Sequence, residues 1–269
     1  MKKCFTINPF RTDADFLEFD KILATNIFQG IEIFYPYSLP KEAQEKYRQN
    51  IEKLHHKYPH IEVVMHLPYG KENDLCNVDR FRETMQILQE GIVYTHQFQT
   101  KKLTLHLGYV DEKRERSFYL DHIVPILQQL CDYAQKYEMA VMIENMPGSA
   151  ELGFSPEEIL TIITKTARKN LKFILDTGHA HVSRYENPAY IQLLGPYLCH
   201  IHFSDNDQSG DQHKRMGLGN IDFKEVFYEL NKIDYQELHC LEIIFHKPEE
   251  VLEFAMDMDS YQESKEIKP

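Results

Sequence analysis

Apolar positions along this chain follow two alternating rhythms. Short runs, continuous or with every second residue apolar, start at intervals of about 26 to 41 residues. The segments between them carry apolar residues at the three-to-four spacing of a helix. The short runs are CFTIN (4–8), GIEIF (30–34), IEVVMHL (61–67), KLTLHLG (102–108), AVMIENM (140–146), KFILDTG (172–178), LCHIHFS (198–204) and HCLEII (239–244). Eight strands of this kind, each followed by an amphipathic segment such as 81–98 or 118–137, predict an α/β chain folded as a (β/α)8 barrel. Asp13, Ser155 before Pro156-Glu157-Glu158, Asp222, and the run Lys247-Pro248-Glu249-Glu250 read as helix starts. Pro125 falls inside the fourth helical segment and predicts a kink or break near Val124.

The length of 269 residues suits one such barrel, so the expectation is a single domain over 1–269, with a core of about 4–258 and a polar, fraying tail over 259–269. Hydrophobic content of 42% beside 27% charged residues supports a sizeable core. The five cysteines, Cys4, Cys76, Cys131, Cys199 and Cys240, form no CxxC pair and read as reduced and structural. The chain shows neither a secretory apolar segment nor a membrane-length run, which predicts a cytoplasmic protein with no membrane association. A net charge of −12 disfavours a phosphate backbone as partner unless bound cations reverse the field locally.

The chemistry lies where the strands end. The third run finishes in His66, the fourth in His106, the fifth in Glu144-Asn145, the sixth in Asp176 with His179 close behind, the seventh in His202, and the eighth in Glu242. Each interrupts a stretch that would otherwise bury as apolar core, where a charge is costly unless it is paired or binds a metal. Six consecutive strands doing so at the end where barrel enzymes carry their sites point to a catalytic metal centre. Imidazole and carboxylate donors together suit zinc, manganese or iron better than magnesium or calcium. Asp211 and His213, in the loop after the seventh strand, add a further donor pair, while Gly217-Leu218-Gly219 reads as a turn and not as a phosphate loop.

The segments MHLPY, LHLG, IEN, LDTGHAH, HFSDN, DQH followed by GLGNID, and LEI, in this order, resemble the endonuclease IV (AP endonuclease family 2) branch of the xylose isomerase-like barrels, from about residue 4 to 258. That resemblance implies a zinc-type site of up to three ions with nine ligands. His66, His106 and Glu144 would hold one ion, and Glu144 would bridge to a second held by Asp176, His202 and Glu242. His179, Asp211 and His213 would hold the third. It further implies hydrolysis of a phosphoester in a phosphorylated sugar or an abasic nucleic-acid-like substrate, with Glu144 and Glu242 as the catalytic residues that orient or deprotonate the attacking water. The sugar isomerase and epimerase branches imply something else: one manganese-like ion on Glu144, Asp176, His202 and Glu242, with the two glutamates moving a proton beside the substrate carbonyl.

His66, His106 and the Asp211/His213 pair favour the hydrolase, since a one-ion isomerase needs none of them. The stretch after His202 also lacks the arginine that epimerases tend to carry. Against duplex DNA stand the net charge and the loop IEIFYPYSLP, which has no arginine to probe a duplex. The expected partner is therefore a small phosphorylated or sugar-like substrate, with Tyr69, Tyr35 and Asn145 as pocket candidates and no protein partner evident. A non-catalytic barrel is the third class, because fold does not prove function.

Overall fold

The computed structural model describes residues 1–111 and 113–263. Strands β1 (Lys2–Ile7), β2 (Gly30–Phe34), β3 (Glu62–His66), β4 (Lys102–Leu105), β5 (Ala140–Glu144), β6 (Leu171–Asp176), β7 (Leu198–Phe203) and β8 (Leu238–Leu241) pair in parallel in chain order. β8 then pairs with β1, so the sheet closes into the expected barrel. Helices α1 (Asp13–Ala24), α2 (Lys41–Lys57), α3 (Phe81–His96), α4 (Arg116–Gln135), α5 (Pro156–Thr166), α6 (Thr177–Val182), α7 (Asn187–Leu194), α8 (Phe223–Lys232) and α9 (Glu250–Glu263) lie between and after the strands.

The register sets which side chains meet. Cys4 pairs with Gly30, Glu32 with Val64, His66 with Thr104, Glu144 with Ile174, Asp176 with His202, and His202 with Cys240. Side chains alternate across a strand, so even-numbered residues share the inner face except at the start of β7, where a register shift between Phe173 and Ile174 puts Leu198 in the outer cluster and Cys199 against the inner one. Six of them, Cys4, Val64, Met142, Ile174, Leu238 and Cys240, form an apolar cluster of their own inside the barrel. Odd-numbered residues such as Phe5, Ile33, Leu103, Ile143, Phe173 and Phe203 join the larger cluster built with the helices. At the amino end of the barrel the Lys102 ammonium lies 2.8 Å from Glu62 and 2.7 Å from Glu237. The carboxyl end is left for the ligand-type residues.

Several boundaries differ from expectation. β6 stops at Asp176 because its carboxylate caps α6, Oδ1 accepting from the His179 amide at 2.6 Å, so Thr177 and Gly178 are helical and not strand. β4 and β8 end at Leu105 and Leu241, which puts His106 and Glu242 just beyond the ladders. Helix α1 is capped by Thr12, not by Asp13: Thr12 Oγ1 accepts from the Asp15 amide while Asp15 accepts from the Thr12 amide. Ser155 and Asp222 cap α5 and α8 as anticipated, whereas the last helix opens only at Glu250. No break occurs at Pro125, and α4 is one helix through it. The proline and Asp121, whose carbonyl loses its amide partner, both face solvent, so water can take the place of the missing bond. Of the expected tail, residues up to Glu263 belong to α9, and 264–269 lie outside the described residues. The five cysteines are free thiols.

Candidate metal centre

The nine residues read as ligands converge at the carboxyl end of the barrel in three groups: His66, His106 and Glu144; Glu144, Asp176, His202 and Glu242; and His179, Asp211 and His213. Within each group the donor atoms lie within 4.8 Å of one another. Glu144, 1% exposed, joins the first two. Its Oε2 lies 3.0 Å from His106 Nε2 and 3.8 Å from His66 Nε2, while its Oε1 lies 3.2 Å from His202 Nδ1. A carboxylate with each oxygen committed to a different histidine set has the geometry of a bridge between two cations.

Four of the five imidazoles have one ring nitrogen occupied by a backbone carbonyl or by Glu32. His66 Nδ1 donates to the Leu67 carbonyl at 2.9 Å, His179 Nδ1 to the Asn145 carbonyl at 2.8 Å, and His213 Nδ1 to the Glu242 carbonyl at 3.0 Å. His202 instead uses Nε2, which donates to Glu32 at 2.7 Å. Each arrangement orients the ring and turns its other nitrogen inward, the position from which a neutral imidazole ligates a metal.

Asp211 and His213 reach the centre on the loop between β7 and α8. Asp205, buried at its root, accepts from the amides of Gly217 at 2.8 Å, Gly219 at 2.9 Å and Ile221 at 3.3 Å. A Cβ at Gly219 would sit 2.3 Å from the Asn206 carbonyl oxygen, and Gly217 has φ +84°, so both glycines serve this fold-back and neither cradles a phosphate. Asp205 and Lys214 exchange backbone hydrogen bonds at 2.8 and 2.9 Å, and the Ile244 amide donates to the His213 carbonyl at 3.0 Å. These ties hold His213 at φ +44°, an unusual conformation for a non-glycine residue.

The electrostatics suit cations. Asp176 Oδ1 is used by the helix cap, but its Oδ2 is buried without a hydrogen-bond partner. Burial raises this carboxyl to about 7, with Glu242, Glu144 and Asp211 adding to the rise and His179 opposing it. At Glu242 burial is outweighed by His202, which holds the carboxyl at about 2. Burial disfavours protonation of His202 and His179, yet the surrounding carboxylates raise both well above the usual imidazole value. Protons on these rings thus stand where cations would otherwise balance the acids. Two divalent cations would neutralise the four carboxylates of the nine, and a third would make the centre net positive. The orphaned Asp176 oxygen, the divided Glu144 and the oriented imidazoles all fit bound divalent metal.

Beside the centre opens a cavity of about 430 Å³, walled in part by Phe10, Phe34, Tyr35, Tyr37, Tyr69 and Ile244, with His66, His213 and Glu242 at its floor. Among the described residues no lysine or arginine lines it. Tyr69 covers His66 and His106 with its ring centroid 4.9 Å from each. Tyr69 and Tyr35 are therefore pocket residues, but Asn145 is not. It is fully buried, and its side-chain amide pairs with the backbone of Asp176, donating to the carbonyl at 2.9 Å and accepting from the amide at 2.7 Å.

Sequence reasoning passed over Glu32. It lies wholly buried in mid-β2 and binds His200, His202 and Thr104. The available signal was a charged residue inside GIEIF, a strand whose two faces are both buried in a barrel. His200 proves to be its second partner, and His181 bonds Asn220 away from the centre.

A family model described as xylose isomerase-like TIM barrel matches residues 20–262. The chain belongs to this family. The xylose isomerase-like barrel is similar to an uncharacterized protein of Methanocaldococcus jannaschii, 30% identical over 190 residues, a match that covers 68% of the chain and 64% of that relative. The chain thus spans just under two thirds of that relative's length. It is also similar to a probable endonuclease 4 of Carboxydothermus hydrogenoformans, 24% identical over 225 residues, covering 76% of the chain and 78% of the relative. Among solved structures, a D-tagatose 3-epimerase-like protein superposes with a TM-score of 0.82 at 24% identity over 98% of each chain. The 3-keto-D-glucoside 4-epimerase of E. coli gives 0.78 at 14% identity, over 98% of this chain and all of that one. At such identities the solved structures establish the shared fold. Among the described residues no helix is long and apolar enough to cross a membrane.

Proposed function

We propose that this protein is a metal-dependent phosphoester hydrolase with a cluster of up to three divalent ions, zinc foremost and manganese or iron as alternatives, acting on a small phosphorylated substrate. The observation that carries this reading is the group His179, Asp211 and His213 beside a complete second set. A one-ion sugar isomerase is served by Glu144, Asp176, His202 and Glu242 alone and has no use for five more donors.

Divalent ions held there would supply Lewis-acid stabilisation of phosphoryl oxygens and would acidify water close to neutral pH. The chain's own residues do the rest. Glu144 would be a ligand shared by two of the ions, one oxygen facing His66 and His106 and the other facing His202. Glu242, at the cavity floor and ionised at neutral pH, accepts a hydrogen bond from the attacking water and aims it. Tyr69 closes the wall above His66 and His106. The absence of basic residues from the wall assigns anion recognition to the centre and favours a substrate the size of one sugar or nucleoside phosphate over a duplex. The likeness to a probable endonuclease 4 supports the reaction class, while an abasic nucleic acid fits this cavity less well.

The second reading, a manganese-type sugar or sugar-phosphate isomerase or epimerase, draws on the epimerases among the structural neighbours and on the four-residue subset, in which Glu144 and Glu242 would flank a carbonyl carbon. The deciding experiment offers protein reconstituted with zinc or manganese a set of phosphomonoesters and phosphodiesters, an abasic-site oligonucleotide, and free and phosphorylated ketoses. Phosphoester cleavage lost on chelation is the expected result. Ketose epimerisation with no cleavage of any phosphoester would overturn the proposal.

A further inference from the structure

The barrel interior below the metal centre is apolar at Cys4, Val64, Met142, Ile174, Leu238 and Cys240, so the fold itself makes no demand for a charge there. Glu32 nevertheless occupies that interior with no exposure at all. A buried carboxylate is destabilising unless hydrogen bonds compensate it, and a hydrophobic side chain of similar volume would serve packing as well or better. Both of its oxygens are engaged by side chains of other strands. Oε2 accepts from His202 Nε2 at 2.7 Å and from His200 Nε2 at 2.9 Å, and Oε1 accepts from Thr104 Oγ1 at 2.8 Å.

The other ring nitrogen of His202, Nδ1, lies 2.8 Å from Glu242 Oε2 and 3.2 Å from Glu144 Oε1. His66, His179 and His213 lean on neutral backbone carbonyls; His202 leans on an anion. An imidazole whose remote N–H meets a carboxylate is locked in one tautomer and is a stronger donor at its free nitrogen.

We infer that Glu32 is a positioning residue that holds His202 in its ligating tautomer and strengthens its bond to a divalent cation, with His200 and Thr104 holding Glu32 in place. This rests on the proposed function's metal centre and adds to it a residue that touches neither substrate nor metal. It also predicts an order of affinity: the ion shared by Glu144, Asp176, His202 and Glu242 is bound most tightly.

The test uses the full chain, stripped of metal and titrated with cobalt(II) or zinc against a chromophoric chelator, for the wild type, Glu32→Gln and Thr104→Val. For Glu32→Gln the tightest site weakens by roughly 10- to 100-fold and its cobalt visible spectrum shifts. The weaker ions keep their affinities. Thr104→Val, which removes one bond to Glu32 and keeps the side-chain shape, weakens the same site several-fold and serves if Glu32→Gln does not fold. Wild-type affinity and spectrum in a folded Glu32→Gln, or in Thr104→Val when Glu32→Gln does not fold, would overturn the inference, because a residue that only fills the core would shift the melting temperature of the metal-free protein and leave metal binding alone. A wild type that binds no ion would overturn the metal centre itself, and that arm separates the two failures.

Discussion

His213 Nε2 lies 2.9 Å from Asp211 Oδ2, two residues along a loop that Asp205 folds back onto the barrel mouth. His179 Nε2 lies 3.2 Å from the same oxygen, and on these three residues rests the proposal of more than one ion. His213→Ala removes one donor and keeps all six ligand side chains of the other two groups, although the Glu242 carbonyl loses the hydrogen bond it accepts from His213. Phosphoester cleavage should fall by at least about 100-fold, the scale on which losses of supporting interactions at metal sites are felt. Bound metal should drop by about one ion per chain, with little change in melting temperature. Undiminished cleavage by the variant would remove the third group from the mechanism.

Metal loading should release protons. At His213 burial opposes protonation, but the hydrogen bond to Asp211 and the charges of Glu242, Asp211 and Asp176 outweigh it and raise the imidazole to about 10. His213 therefore carries a proton at neutral pH in the metal-free protein and must give it up to coordinate a cation. With the folded value raised, the proton competes more strongly as pH falls, so apparent metal affinity declines from about pH 10 downward. Calorimetric titration of the metal-free protein at pH 7, in buffers of different ionisation enthalpy, measures the protons released. Zero release would contradict the assignment.

The loop that carries Asp211 and His213 depends on a close approach that only glycine permits. Gly219→Ala forces a methyl to within 2.3 Å of the Asn206 carbonyl oxygen and of Asp205 Oδ1, and the loop must move. The expected cost is on the order of 2 kcal/mol, from strain and from weakened hydrogen bonds to Asp205. The third ion should be lost with it, as read by chemical denaturation and metal content. A variant of wild-type stability and full metal content would show that the loop relaxes without consequence.

His239 tests the barrel and not its chemistry. It is buried between the rings of Phe203 and Tyr235, and burial lowers its imidazole to about 3 despite the Glu237 carbonyl bonded to it. The unfolded chain takes up this proton near pH 6.5 and the folded chain only near 3. This group's contribution to stability is thus complete above about pH 6.5 and declines as pH falls toward 3, by up to about 1.4 kcal/mol per pH unit. In His239→Phe that slope should be missing. Urea unfolding of both proteins from pH 7 to 4 gives the difference directly, and a difference independent of pH would refute the burial argument.

Much of this molecule is legible in the sequence because barrel geometry converts strand parity into place. His66, Glu144, Asp176 and His202 are even-numbered residues at strand ends, so the register that closes the sheet also brings them together. His106 and Glu242 follow one residue beyond their strands. What stayed hidden depends on contacts with no local signature. Glu32 stands out as a charge inside GIEIF, but its partners Thr104, His200 and His202 come from β4 and β7 and no sequence pattern pairs them with it. Asn145 follows a ligand and invites a substrate role, yet its amide serves the β6 backbone. Pro125 marks a break only if its position is inside the core, and it faces solvent.

The number of cations the centre holds separates the multi-ion hydrolase from the one-ion isomerase. The most direct measurement is elemental analysis of the protein after dialysis against zinc or manganese at pH 7 and removal of free metal, expressed per chain. About three ions are predicted, with one retained far longer than the others on exposure to a chelator. A single ion per chain, unchanged in His213→Ala, would contradict the hydrolase reading and leave the four-residue isomerase site as the correct one.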